Sequence, residues 1–329
     1  MRKIRTALLA ALAIAAGGCG GGGAEPGAAD AATLVLDFQP NAVHAGIYAG
    51  LARDCFSEQG LALSVREPSS TQDSAKLLAA GNVEFAVLDI HDLALARERG
   101  LDLTAVAALV QRPLAAVIAA NEDAVRTPAD LDGERVGVTG SPSDEAVLDA
   151  VSGEGGGEPG SLERTTIGFD SIAALSAGRV AAATAFWNAE GVSLRALGVP
   201  TREFRVDDFG APAYPELVVA TARERVTADP ELLAAVRRGI SCGYSTAARD
   251  PRRALADLLA AVPELDPKTQ EAQLEALIEA QAFGSPREAG RLDPSEIEDW
   301  AGWDERMGIV GEPIDVAAVL AGTDPAVAP

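Results

Sequence analysis

Short apolar runs of strand length alternate with segments of helical spacing along the chain, and no other feature restricts the possible fold as strongly. "ATLVLDF", "LALSVREP" and "VEFAVLD" have the composition of strands, and each precedes a segment of helical periodicity such as "HDLALARERG". This regular succession predicts an α/β protein with a mostly parallel sheet. Sheets of this kind bind ligands beyond the carboxyl ends of their strands.

A second series of alternating segments follows "PLAAVIAANED". It contains the strand-like "RVGVTG", a helix that begins after Pro142, and the succession "DSIAALSAGRVAAATAFWNAEGVSLRALG". The apolar run in "FGAPAYPELVVAT" is suited to a strand that returns to the first sheet, and from Asp229 onward the pattern is mainly helical. The chain is therefore predicted to form two lobes and to return to the first after the second.

The predicted lobes have definite boundaries in the sequence. Lobe 1 comprises residues 33–120 and lobe 2 comprises 121–217, and residues 218–329 return to lobe 1 with C-terminal helices. The two crossings are predicted near 118–124 and 212–220. Two connections between lobes form a hinge, so we expect the ligand cleft between them.

The N-terminal stretch "MRKIRTALLAALAIAAGGCGGGG" has the layout of a secretory signal, with a basic start, a short apolar segment and small residues. "AGGC" resembles a bacterial lipobox, with Ala16 where leucine is usual. We therefore predict a signal peptide over 1–18, lipidation of Cys19 and a flexible tether over 19–32. The alternative is an ordinary signal with an incidental cysteine. The folded part, from about Thr33, is expected outside the cytoplasm, anchored to the bacterial cell membrane by the lipid alone.

Charge and cysteine content restrict the partners and the covalent structure. The net charge of −22 makes nucleic acid and anionic membrane surfaces poor partners, and we expect a monomer. An extracytoplasmic compartment permits disulfides, and only Cys55 and Cys242 remain beside Cys19. They form either one bridge or two separate buried thiols.

Polar and aromatic residues follow the first predicted strand. In "DFQPNAVHAG", Phe38 offers a ring face, and Asn41 and His44 offer donors and acceptors for a ligand. Asp89 stands at the end of another strand, "VEFAVLD". Asn41 can equally cap a helix, and His44 can equally be a satisfied core group. The chain has only two histidines, too few for a histidine metal cluster, so no metal site is predicted.

Two motifs of the second lobe also follow strands. In "TGSPSDEA", Ser141 or Ser143 can cap a helix whose exposed N–H groups can hold an oxygen, while Asp144 suits the first turn with or without a ligand. In "AFWNAEGV", Trp187, Asn188 and Glu190 crowd the end of an apolar run. An indole face beside a carboxylate suits a flat, nitrogen-rich ring that stacks and donates from an amino group. The alternative is a helix-start acid beside a core tryptophan.

A further segment, "DDFGAPAYPEL", holds Tyr214 and Glu216 in a rigid frame near the second crossing. Together with "DFQPNAVHAGIYAG", "VQRPL", "GSPSDEA" and "AFWNAEGV", it resembles, in the same order, the NMT1/THI5-like solute-binding family. The resemblance implies a type II periplasmic-binding fold with the ligand between two lobes. It also implies ligand contacts from Asn41, His44 and Glu190 and walls from Trp187 and Tyr214. Phe38 stands where the family typically has tryptophan.

The resemblance further implies a function and its rivals. The expected role is the extracytoplasmic solute-binding component of an ABC importer, which captures a small planar heteroaromatic, a pyrimidine precursor of thiamine, and passes it to a permease and ATPase. Riboflavin is an alternative solute, and sulfonates or taurine are another. Related enzymes build the pyrimidine with pyridoxal phosphate, but they need a Schiff-base lysine, and none stands near the motifs. We therefore expect a binding protein without a cofactor.

Overall fold

The computed structural model describes residues 30–68 and 73–321. The predicted signal peptide, Cys19 and the tether as far as residue 29 lie outside the described residues. The described chain forms two five-stranded sheets, each with helices on its faces, as the alternating pattern predicts. In the part of the chain that is described, no helix is both long and apolar enough to cross a membrane.

The first sheet has the strand order β2-β1-β3-β10-β4. Four strands run in one direction, and β10 is antiparallel to both of its neighbours. The strands are β1 (Asp30–Val35), β2 (Leu61–Arg66), β3 (Phe85–Asp89), β4 (Leu103–Val110) and β10 (Leu217–Ala222). Residues 30–32, assigned to the tether by the sequence analysis, belong to β1, because their backbone pairs with Leu61–Leu63 of β2.

The second sheet repeats this arrangement with the order β7-β6-β8-β5-β9. Here β5 is the antiparallel strand. The strands are β5 (Ala115–Ala120), β6 (Arg135–Val138), β7 (Glu163–Thr166), β8 (Ala182–Phe186) and β9 (Thr201–Arg205). In each sheet, the reversed strand is the one that arrives from the other lobe. It enters at the edge where the parallel strands end and so must run against them.

The sheet pairing moves the first lobe boundary. Residues 115–120, predicted in lobe 1, form β5 and pair with β8 and β9 of the second sheet. The first crossing is therefore residues 111–114, before the predicted 118–124, and the second crossing is 206–216. The apolar run on either side of Arg112 and Pro113 is almost continuous in sequence, so the run alone does not reveal that its two halves join different sheets.

Twelve α-helices occur among the described residues, and those after residue 229 form the predicted helical C-terminal part. They are α1 (Ala45–Ala52), α2 (Asp73–Ala79), α3 (Ile90–Glu98), α4 (Pro142–Glu154), α5 (Ser171–Ser176), α6 (Val192–Ala196), α7 (Arg223–Ala228), α8 (Pro230–Arg249), α9 (Pro251–Ala261), α10 (Pro267–Glu279), α11 (Pro294–Met307) and α12 (Val316–Val319). Helices α8 and α9 pack on α1 in lobe 1, whereas α10 contacts both lobes. Trp300 and Trp303 of α11 are buried, which confirms the prediction that they belong to the core.

Helices α1 and α8 pack at very short range, and a disulfide joins them beside this contact. A Cβ added to Gly243 would lie 2.1 Å from the carbonyl oxygen of Gly46, and one added to Gly46 would lie 2.4 Å from the ring of Tyr244. Cys55, just after α1, is bonded to Cys242 of α8 with their Cα atoms 5.9 Å apart. Cys55 and Cys242 therefore form a disulfide bridge and are not two separate buried thiols.

Candidate ligand-binding site

The residues singled out in the sequence gather at the edges where the parallel strands of the two sheets end. Phe38 follows β1 and Asp89 ends β3 in the first sheet, while Ser141 follows β6 and Glu190 follows β8 in the second. Because β5 and β10 enter the sheets at these same edges, both crossings lie there too. The candidate site is the space between the two edges, which we call the cleft.

Two exposed aromatic rings approach each other across the cleft. Phe38 is 45% exposed, and Phe169, between β7 and α5 of the second lobe, is 72% exposed. Their ring centroids are 6.5 Å apart and their planes are inclined by 36°. Exposed apolar side chains that cluster are typical of binding sites. Phe169 was not predicted from the sequence, although it follows the end of β7 just as Phe38 follows that of β1.

His44 is buried and orients a carboxylate at the cleft. The backbone N–H of Asn41 donates to its Nδ1 at 3.2 Å, so Nε2 carries the proton and donates to Asp37 Oδ1 at 2.8 Å. Asn41 caps the turn Ala42–His44, since its Oδ1 accepts from the N–H of Val43. Both nitrogens of His44 are therefore engaged, and the imidazole fixes the orientation of the Asp37 carboxylate. Asp37, within the run "ATLVLDF", was not among the candidate contacts predicted from the sequence.

The start of α4 supplies two further polar groups. Ser141 caps the helix by accepting from the N–H of Asp144, and its hydroxyl lies 2.7 Å from that of Ser143. The carboxylate of Asp144 accepts from the N–H of Thr139 at 2.7 Å. These bonds explain both residues structurally, and they also fix Asp144 at the cleft edge. The predicted ligand contacts of Ser141 and Asp144 stay predictions.

Glu190 and Asn188 lie in a single π-helical turn, Trp187–Gly191, that joins β8 to α6. Such turns are frequent at functional sites. Glu190 Oε2 accepts from the N–H of Phe186 at 3.0 Å, which holds the carboxylate against the end of β8. Asn188 is 1% exposed, and its Oδ1 has no hydrogen-bond partner within the described chain. The turn thus brings several polar groups together at the end of β8, beside the cleft.

Carboxylates from both lobes act on one another across the cleft. Loss of hydration raises the pKa of Asp92 on α3 although its side chain reaches solvent, and the negative charges of Asp37 and Asp144 raise it further, against His91 and Arg99. Burial likewise raises the pKa of Glu190, with a smaller contribution from Asp144. The cleft therefore has a negative potential, which favours ligand groups that donate hydrogen bonds or carry positive charge.

Trp187 and Tyr214 differ from the expectation that they form walls, because both are fully buried in this conformation. The indole N–H of Trp187 donates to Pro113 O of the first crossing at 3.1 Å, and the Arg205 guanidinium stacks 4.0 Å above its ring. Tyr214 packs edge-on against His91, with the ring centroids 5.0 Å apart. Both rings thus pack against residues at the hinge and have no exposed surface in this conformation.

A hydrogen bond and an ion pair join the two crossings to each other. Glu216, on the second crossing, is buried, and its Oε2 accepts from the N–H of Leu114 at the end of the first. Arg112 of the first crossing pairs with Asp207 of the second. Burial raises the pKa of Glu216 to about 7, although hydrogen bonds from the N–H groups of Leu114 and Ala115 oppose the shift. These contacts hold the two crossings in a fixed position relative to each other.

Two α/β lobes, two crossings and a polar cleft between the strand ends define a solute-binding protein of the periplasmic-binding type. Residues 41–254 match the family model described as "NMT1/THI5 like". The chain belongs to this family, as its five motifs predicted. The chain is 32% identical over 270 residues to the formylaminopyrimidine-binding protein of Halalkalibacterium halodurans, with 81% of each protein covered.

The chain is also similar to an enzyme and to a binding protein with a different named ligand. The 4-amino-5-hydroxymethyl-2-methylpyrimidine phosphate synthase of Legionella pneumophila is 24% identical over 236 residues, which cover 71% of this chain and 74% of that protein. The crystal structure of the periplasmic aliphatic sulphonate binding protein SsuA from Escherichia coli superposes with a TM-score of 0.69 at 14% identity, covering 88% of this chain and 92% of that one. This second likeness concerns the fold and confirms the predicted architecture.

Proposed function

We propose that this protein binds an amino-substituted pyrimidine of the thiamine-precursor type outside the cytoplasm and delivers it unchanged to an ABC permease and its ATPase. The observation that carries the proposal is the pair of exposed rings, Phe38 and Phe169, on opposite lobes beside the carboxylates of the cleft. A flat ring can stack between the phenyl groups while its amino groups donate to carboxylates.

The distance between the rings supports a single planar guest. A ring stacked on both sides at ordinary carbon–carbon contact needs about 7–8 Å between the outer rings. The present 6.5 Å is slightly less. Entry of the solute therefore requires the lobes to part by about 1 Å or the exposed Phe169 side chain to rotate. A hinge at 111–114 and 206–216 permits such a small opening without disturbing either sheet.

The charge of the cleft argues against a sulfonate or another anion. Asp37 and Asp92 on lobe 1 and Asp144 and Glu190 on lobe 2 would repel an anionic group, whereas they can accept from the amino group of a pyrimidine. The formylaminopyrimidine-binding relative has a name that agrees with this chemistry.

The lysines argue against a synthase of the kind found among the relatives. A Schiff base with pyridoxal phosphate needs a lysine in the site. The full sequence has only Lys3, Lys76 and Lys268, and the two described lysines are exposed on α2 and α10. In this proposal His44 is a positioning group that holds Asp37, with no role as a pyrimidine donor.

Calorimetric titration with a panel of solutes tests the function. We expect saturable binding of a formylaminopyrimidine or of 4-amino-5-hydroxymethyl-2-methylpyrimidine, weaker or no binding of riboflavin, and no binding of an alkanesulfonate. Mass spectrometry of the solute after incubation should return it unchanged. Binding of the sulfonate alone, or recovery of a converted product, would refute the proposal.

Replacement of Glu190 by glutamine is expected to weaken pyrimidine binding by about 1–3 kcal/mol, because a partly buried carboxylate that accepts from the solute is lost. The fold should persist, since an amide oxygen can still accept from the N–H of Phe186. Calorimetry of Glu190→Gln beside Glu145→Gln measures the effect. Glu145 pairs with Arg164 at 2.7 Å outside the proposed contact set, so its replacement should leave affinity unchanged. Equal affinity in both variants would assign Glu190 a purely structural role.

Truncation of Phe169 to alanine is expected to weaken binding by about 1–2 kcal/mol, since one face of the solute loses its aromatic partner. Phe169→Trp should bind at least as well as the native protein. The control is Leu197→Ala, which removes another exposed apolar side chain of lobe 2, 65% exposed, and should have no effect. If Phe169→Ala binds normally, the two-ring clamp does not exist.

Trp187 is expected to produce the fluorescence change on solute binding, although its ring is buried. Its N–H donates to Pro113 and its backbone N–H to Leu114 O, so movement of the first crossing alters its surroundings. Trp187→Phe should abolish the change, whereas Trp303→Phe should preserve it. A change of undiminished size in Trp187→Phe would disprove this assignment.

A further inference from the structure

A buried imidazole, one of whose nitrogens has no hydrogen-bond partner within the described chain, lies beside two carboxylates near the hinge. From this arrangement we infer that Asp89, His91 and Glu216 form a binding site for one divalent transition-metal ion, best suited to zinc. Their ligand atoms all lie within 4.8 Å of one another. The site shares Asp89 with the candidate residues at the cleft edge, but it does not depend on which solute the cleft takes.

Each of the three side chains is fixed by a separate element. Asp89 ends β3 and caps α3, where its Oδ1 accepts from the N–H of His91 at 2.7 Å. Glu216 precedes β10 and is held by the N–H of Leu114. Since Leu217 of β10 pairs with Asp89 of β3, the sheet register itself brings the two carboxylates together. The ligands are thus largely in place before a metal arrives.

The surroundings of His91 resemble those of a metal ligand. Its Nδ1 lies 3.0 Å from Oδ2 of the buried Asp304, which accepts the hydrogen bond and fixes the orientation of the ring. Nε2 is buried and has no hydrogen-bond partner within the described chain. A carboxylate on one imidazole nitrogen and a metal on the other is the usual arrangement in metalloproteins.

One neighbouring contact competes for the same nitrogen. The indole Nε1 of Trp300 lies 3.2 Å from His91 Nδ1, and Nδ1 cannot both donate to Asp304 and accept from Trp300. The charge of a buried carboxylate decides between them, because leaving Asp304 unpaired would be the more costly alternative. Nδ1 therefore carries the proton, and a neutral His91 has its Nε2 lone pair free for a metal.

The donor set and its size select the ion. One imidazole nitrogen and two carboxylate oxygens leave a fourth position for water, as in three-ligand zinc sites. Tetrahedral ligands about 2 Å from zinc lie on the order of 3.5 Å apart. Since the three ligand atoms now lie within 4.8 Å of one another, the largest contraction that zinc would require is about 1.3 Å. Asp89 is only partly buried, which provides access from the cleft. Magnesium and calcium prefer oxygen ligands in greater number.

Protonation of the same side chains is the alternative way to compensate the buried carboxylates. Burial alone would lower the pKa of His91, but the Asp304 carboxylate outweighs it and raises the pKa to about 9. Loss of hydration, followed by the charge of Glu216, raises the pKa of Asp89 well above its usual range. A protonated His91 and a proton on Asp89 would satisfy the carboxylates without a metal. The two explanations predict opposite results for zinc binding.

Zinc titration of chelator-treated, tag-free protein distinguishes them. Excess Mg²⁺ in the buffer suppresses weak binding to the acidic surface. We expect one saturable zinc site by calorimetry, with release of protons, and a visible absorption spectrum when Co²⁺ replaces zinc. Affinity should fall at least about tenfold in His91→Gln and in Asp89→Asn, whereas Asp144→Asn, a cleft carboxylate outside the set, should bind zinc normally.

A second measurement keeps the test valid if His91→Gln fails to fold. Asp89→Asn keeps shape and partial exposure, and its thermal unfolding shows whether it is native. Asp304→Asn leaves all three ligands present and should still weaken zinc binding by about 10- to 100-fold through the orientation of His91. Absence of saturable zinc binding, or unchanged binding in Asp89→Asn and Asp304→Asn, would overturn the inference.

Discussion

Removal of the Cys55–Cys242 disulfide is expected to lower the free energy of unfolding by about 4–5 kcal/mol, the largest effect that we predict. The two cysteines are 187 residues apart, so the bridge closes a loop that contains most of lobe 1 and all of lobe 2. The chain-entropy model gives about 5 kcal/mol for a loop of this length, through the freedom that the unfolded chain regains. Strain in the native bridge would reduce the value.

The measurement compares denaturant unfolding of the native protein with that of the double variant Cys55→Ala, Cys242→Ser. Alanine suits the buried Cys55, and serine suits the exposed Cys242. Pyrimidine affinity should remain unchanged, because the bridge joins α1 to α8 within one lobe and leaves both crossings free. Native protein treated with a reductant provides the matched control. A loss below about 1 kcal/mol in both would contradict the expectation.

Replacement of Gly243 by alanine is expected to destabilise the protein by about 3 kcal/mol or more, because α1 and α8 must separate. The added methyl would lie 2.1 Å from the backbone oxygen of Gly46 and 3.1 Å from Gly50 Cα, and backbone atoms cannot rotate aside as a side chain can. Overpacking of this kind typically costs about 1–3 kcal/mol, and a clash with backbone belongs at the upper end or beyond.

Gly302 provides a helical glycine for comparison. It lies within α11, and an added methyl would contact only the flexible end of Arg306, at 3.3 Å. Gly302→Ala should therefore be neutral or stabilise the protein by up to about 1 kcal/mol through helix propensity. Chemical denaturation of the two variants side by side separates close packing from propensity. Similar stabilities would show that the α1–α8 contact adapts without loss.

The fold was predictable because apolar periodicity is a local property of the chain. The strands around Leu61–Arg66 and Phe85–Asp89 and the helix from Pro142 occur where the pattern placed them. The boundary between the lobes was predicted less well. The run that became β4 and β5 is apolar throughout, and which sheet a strand joins depends on pairing with residues far away in sequence.

The site was predictable in position but only partly in detail. Phe38, Asp144 and Glu190 were predicted because they follow the ends of strands, and all three lie at the cleft. Phe169 was missed, since its importance comes from a ring on the other lobe. Trp187 was predicted to form a wall of the ligand site. Its indole N–H instead donates to the carbonyl oxygen of Pro113, a residue 74 positions earlier.

The sequence by itself determined the alternation of strands and helices, the return of the chain to its first lobe and the edge at which polar residues collect, because each follows from neighbouring residues. The tertiary structure decided which of these groups lie exposed at the cleft and which are buried behind it. His44 became the support of Asp37, and Asp89, His91 and Glu216 came together, through the pairing of β3 with β10. Burial and contact across the hinge depend on long-range packing, and no local pattern encodes them.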